Sequence, residues 1–208
     1  MATRDDIISA ARGEVGQVSD RGGEDGNKLG WDHLKTYFET ALGDSDIFAR
    51  GPAWRDGIMK AGQFVTGPGA DGNQVKIDWC GIFCVWALRQ AGVDTHWQFG
   101  TGPEGRIKDV GPNNTERPAR TDFDNMVPGD ILVRHHSIHH CIVSAFDGSK
   151  VSTINGNGYY QEVAETTDED WSAVDKWYFY SIDDYPPPST DSSTPSPADA
   201  SPPADVTE

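Results

Sequence analysis

The chain has 208 residues, 36% of them hydrophobic and seven of them Trp, enough to bury one core of moderate size. A formal net charge of −16 argues against nucleic acid, whose phosphates are bound by neutralising them with Lys and Arg, and against docking on anionic lipid.

Ile7, Ile8, Ala11 and Val15 recur at spacings of three and four behind early acidic residues, which predicts an amphipathic helix over 5–15. Leu34, Tyr37, Phe38 and Leu42 predict a second helix over 31–42, and a third runs from 52 or 53 towards 62. After a glycine-rich segment over 67–78, the apolar stretch 80–90 predicts a helix that stops at Gly92. Residues 94–125 are rich in Gly, Pro, Asn and Thr and show no period; they read as a long surface connection, a lid or groove wall. Strands are expected at 131–135, 139–146 and 150–154, the last two joined by the hairpin signal Asp147-Gly148, with a closing strand over 177–182.

Helices first and an antiparallel sheet afterwards predict an α+β layer architecture. The domain is expected over 1–185. Residues 186–208, rich in Pro, Ser, Thr, Ala and Asp, predict a disordered tail, because such a composition cannot bury enough apolar area to offset its ordering entropy. The N-terminus Met1-Ala2-Thr3-Arg4-Asp5-Asp6 does not read as a signal peptide, and no run reaches the roughly eighteen apolar residues that span a bilayer. A chain made in the cytoplasm is expected, one that something else must carry across a membrane if it acts outside the cell.

Three residues in chain order carry the chemistry. Cys80 opens the stretch Trp79-Cys80-Gly81-Ile82-Phe83-Cys84, at the helix end whose free N–H groups and positive dipole favour a thiolate. Asp78 is placed to cap that helix. Four histidines, His135, His136, His139 and His140, follow Pro128-Gly129-Asp130. On a strand, His139 shares a face with Cys141 and Val143, opposite His140 and Ile142. Asn155 lies in Thr153-Ile154-Asn155-Gly156-Asn157 and offers an amide that can orient an imidazole. The bland readings are a buried thiol, a solvated histidine loop and a turn asparagine. A zinc site is the sharper rival for the histidines, but neither His-Glu-x-x-His nor Cys-x-x-Cys is present. Cys84 and Cys141 read as small core residues, and three cysteines do not suggest a disulfide framework.

Taken together, Trp79-Cys80, Pro128-Gly129-Asp130, His139-His140-Cys141-Ile142-Val143 and Thr153-Ile154-Asn155-Gly156-Asn157 resemble the motifs of the CHAP amidases and endopeptidases, within the NlpC/P60 group of papain-like peptidoglycan hydrolases. The resemblance covers residues 60–182 and departs from the pattern where Cys141 replaces the usual Gly. It implies a papain-like fold and a cysteine hydrolase that cuts an amide bond of peptidoglycan, either the muramoyl–alanine amide or a peptide bond. Cys80 would be the nucleophile, His139 the base and Asn155 its orienting partner, with His140 and Asn157 as second choices. The backbone N–H groups of Cys80 and Gly81 would stabilise the oxyanion. No cofactor is implied. Some relatives hold calcium before the nucleophile, and Asp71 and Asn73 stand at comparable places. The matching acid is missing at Ile82, so a glycine-rich turn is the expectation there.

The setting implied is an antibacterial effector injected by an apparatus such as type VI, with a cognate immunity protein, or a phage lysin. The rivals are a papain-like protease or deamidase toxin acting on a protein, and a catalytically silent binding module.

Overall fold

The computed structural model describes residues 3–68, 74–99, 105–109, 118–135 and 138–184. Helix α1 (Arg4–Gly13) starts at a capping box in which Thr3 and Asp6 each satisfy the other's backbone N–H at 3.1 Å. Helices α2 (Trp31–Leu42) and α3 (Pro52–Met59) follow, then a short hairpin of β1 (Thr66–Pro68) and β2 (Gln74–Lys76) and helix α4 (Cys80–Gln90). A second hairpin, β3 (Thr95–Phe99) with β4 (Gly105–Asp109), precedes the main sheet. Its strands are β5 (Ile131–Arg134), β6 (His139–Phe146), β7 (Lys150–Asn155), β8 (Ala164–Asp170) and β9 (Lys176–Tyr180), all antiparallel in the order β8-β7-β6-β5-β9. The α+β expectation holds at this level. No helix among the described residues is long and apolar enough to cross a membrane.

Helix α4 is the centre of the molecule. Every residue from Cys80 to Leu88 is buried, as expected of a helix that is apolar all round. Tyr37 of α2 packs on one side, with ring centroids 6.1, 5.4 and 4.8 Å from those of Trp79, Phe83 and Trp86. Trp97 of β3 covers another, and the main sheet covers a third.

That sheet has two different faces. Ile131, Val133, Ile142 and Ile154 join the core shared with the helices. Leu132, Cys141, Val143 and Phe179 form a second core on the opposite face, with Met126 and Val174. The register fixes the alternation: Cys141 pairs with Leu132 and Asn155, while Ile142 pairs with Ile131 and Ile154. The hairpin joining β6 to β7 is held by Asp147, whose Oδ1 accepts from the N–H groups of Ser149 and Lys150 at 2.8 and 2.7 Å.

The Pro-Gly-Asp motif has a structural task. Asp130 is fully buried and accepts from the Arg4 guanidinium at 2.6 Å and from the Val127 N–H at 2.9 Å. It thereby ties the start of α1 to the head of the sheet.

Two expectations change, and two elements come in addition to them. The segment 94–125 is not one irregular connection: its described residues include β3, β4 and a 3-10 turn over Phe123–Asn125. Strand β8 escaped the sequence reading because its sequence, Ala-Glu-Thr-Thr-Asp-Glu-Asp, is a polar edge with no apolar alternation. The glycine-rich segment before α4 carries the β1–β2 hairpin. Asp78 does not cap α4, which has no side-chain cap; its carboxylate instead meets Lys76 and Asn157, both at 2.9 Å. Asp71, Asn73, His136 and the tail over 186–208 lie outside the described residues.

Candidate active site

Cys80 is the first residue of α4 and is 5% exposed. Without a side-chain cap, the N–H groups of the first turn remain available to a ligand. The helix can sit so close to its neighbours because of two glycines. A Cβ on Gly81 would stand 2.1 Å from the Trp97 ring, and one on Gly156 would stand 2.5 Å from Phe83 Cβ. All three cysteines are free and buried. Burial pushes the Cys141 thiol up to about 12 and the Cys84 thiol well above its ordinary value, so neither is a nucleophile near neutral pH.

The first residue of β6 and the last of β7 meet through their side chains: His139 Nε2 and Asn155 Oδ1 are 3.0 Å apart. The orientation of the amide is fixed by its other end. Asn155 Nδ2 donates to the Thr153 carbonyl at 3.0 Å, and a carbonyl can only accept. Oδ1 therefore faces the imidazole, Nε2 carries the proton, and Nδ1 is left as the basic nitrogen. Burial holds His139 below the ordinary histidine value; the Asn155 hydrogen bond opposes this, the nearby Arg134 adds to it, and Asp78 opposes it. Burial and Arg134 thus favour the neutral imidazole over the imidazolium.

Helix and dyad are clasped together. Asn157 Nδ2 donates to Asp78 Oδ1 at 2.9 Å, so Cys80 and Asn155 each lie two residues from one contact. The clasp joins the entry of α4 to the end of β7, which places Asn157 in a structural link. Among the hydrogen bonds of the described residues, none joins the Cys80 thiol to either histidine of β6.

His139 and His140 have opposite surroundings. His139 shares the face of Cys141 and Asn155. His140 lies on the face of Ile142, 1% exposed, edge-on to Trp97 at 5.1 Å, and neither of its ring nitrogens has a partner. His135 follows the end of β5, its ring 5.1 Å from that of Trp177. Among the described residues, no group of three His, Cys, Asp or Glu side chains could hold a metal ion.

Sequence reasoning did not single out Trp97, hidden in a segment read as loop, nor Arg134 and Glu169. The alternation Ile131-Leu132-Val133-Arg134 was the available sign that Arg134 shares the face of His139. A separate cleft of about 290 Å³ lies away from these residues, lined by Glu14, Asp32, His33, Thr36, Tyr37 and Trp86. There Glu14 Oε2 accepts from the Tyr37 hydroxyl and lies against His33 Nδ1, both at 2.7 Å. Compared with protein-family models, curated proteins and solved structures, the chain has no match.

Proposed function

We propose that this protein is a papain-like cysteine hydrolase that cleaves an amide bond of bacterial peptidoglycan, with Cys80 as nucleophile, His139 as general base and Asn155 as its orienting partner. The observation that carries the reading is the His139–Asn155 hydrogen bond, which leaves Nδ1 as the basic nitrogen, together with the Asp78–Asn157 contact that lies two residues from Cys80 and two from Asn155. A neutral imidazole accepts the thiol proton as the sulfur attacks the scissile carbonyl. The N–H groups of Cys80 and Gly81 receive the developing oxyanion. The amine then leaves with the proton from His139, and water, activated by the same imidazole, hydrolyses the thioester. No cofactor enters these steps.

The setting that fits is an antibacterial effector delivered by a secretion apparatus such as type VI and held in check by an immunity protein, or else a phage lysin. His140 is the second reading for the base, favoured by its two buried ring nitrogens without partners. Comparing His139→Ala with His140→Ala separates the two.

The test of the function is mass spectrometry of soluble fragments released from purified peptidoglycan by the wild type and by Cys80→Ala. Fragments made only by the wild type are expected, and their masses identify the bond. Release by neither protein under reducing conditions overturns the cell-wall assignment and leaves a protein substrate or a binding role.

A further inference from the structure

The His139 face of the sheet carries an ion pair that the proposed chemistry leaves unused. Arg134, the last residue of β5, is the register partner of His139. Its guanidinium donates to both carboxylate oxygens of Glu169 on β8, at 3.1 and 2.9 Å. Strands β5 and β8 are not neighbours, since β6 and β7 lie between them. The pair therefore reaches across the face that holds His139, Cys141 and Asn155, with its side chains only 27% and 26% exposed. Two parallel hydrogen bonds fix the guanidinium in a plane, as a single contact would not.

The other charged and titratable groups around this imidazole have partners of their own or are neutral. Lys176 of β9 stands beside Arg134 in register but sends its ammonium to the Trp171 carbonyl at 3.2 Å. Asp78, ahead of α4, is paired with Lys76. Strand β7 contributes the neutral Asn155, and His140 faces the other way.

We propose that Arg134 is a positioning residue for His139: Glu169 pins the guanidinium on the histidine's face of the sheet, where it adds to burial in favouring the unprotonated imidazole that accepts the thiol proton. The inference rests on the reading of His139 as the base. The charge performs the task, and the bidentate geometry keeps it in place.

The experiment is an NMR titration of the His139 ring protons in the folded full chain, run beside the pH profile of kcat/KM on purified peptidoglycan, for wild type, Arg134→Gln and Arg134→Lys. Dispersion in the same spectra reports that each variant is folded. Removing the charge in Arg134→Gln raises the His139 midpoint by roughly half to one pH unit, the scale for a unit charge at short range under partial solvent screening. Arg134→Lys loses the bidentate fork but keeps the charge, and its midpoint stays close to wild type. Equal shifts in both variants would mean that the ion pair is a structural brace, and no shift in either would mean that His139 does not sense Arg134; each result overturns the proposal. With His139 as the base, the acidic limb of kcat/KM moves with the NMR midpoint. An NMR shift without a matching limb retires His139 as the base, and the proposal falls with that reading although the electrostatic coupling survives.

Discussion

The two faces of the main sheet solve different problems. The face towards the helices is apolar along β5, β6 and β7 and packs against α4, which is buried from Cys80 to Leu88. The opposite face has a smaller apolar core around Leu132, Cys141 and Val143, and at one end it turns polar with His139, Asn155, Arg134 and Glu169. Packing on the first face positions a helix terminus, and hydrogen bonding on the second orients an imidazole. The proposed chemistry needs both, because dispersion and hydrophobic burial fix position well but do not select which nitrogen of a ring carries a proton.

Changes to the helix-side face should therefore cost stability, and changes to the polar end should cost activity. The largest loss is expected for Phe83→Ala: this fully buried ring touches Tyr37, Trp86 and the backbone at Gly156, and its removal costs about 3–5 kcal/mol in urea unfolding. A loss under about 1 kcal/mol would mean that the site collapses around the missing ring and that α4 is held elsewhere. Gly156→Ala tests the same face by overpacking. Its new methyl meets Phe83, and a loss of about 1–3 kcal/mol is expected.

Asn155→Ala sharpens the contrast from the other side. It removes the partner of His139 Nε2 at a cost of about 1 kcal/mol in stability. Turnover should fall on the order of 10²-fold or more if the amide selects the working tautomer. Full activity in this variant would remove Asn155 from the mechanism. The smallest effect is on pH dependence. Burial holds His139 below 6.5, so as pH falls the unfolded chain takes up its proton first. The associated stability is complete above about pH 6.5 and is lost as pH falls through the lower folded value. His139→Gln should show a flatter urea midpoint across that window, and an unchanged slope would mean that the imidazole titrates alike in both states.

The elements with strong periodicity were legible in the sequence. Helices α1, α2 and α4 and strands β5, β6 and β7 begin and end within about two residues of expectation, because their apolar spacing matches one period and their ends carry turn residues. Strand β3 was not, although Trp97 is among the buried residues of the core: short flanking Gly and Pro segments hide a five-residue strand whose reason to form is contact with α4. Strand β8 was hidden for the opposite reason, since an edge strand earns its place by backbone pairing with β7 and leaves its side chains free to be acidic. Asp78 was misjudged because capping is a local rule, whereas one of its two partners, Asn157, is 79 residues away.

What the sequence determined by itself is the order of the layers, the buried character of α4, the placement of Cys80 at a helix start and the separation of His139 from His140 onto opposite faces of a strand. All of these follow from local periodicity. Tertiary structure alone decided that Asn155 turns its oxygen to His139, that Asp78 clasps Asn157, and that Arg134 reaches Glu169 across two intervening strands. Each of those contacts joins residues brought together by strand register and helix packing, and no spacing along the chain encodes such a meeting.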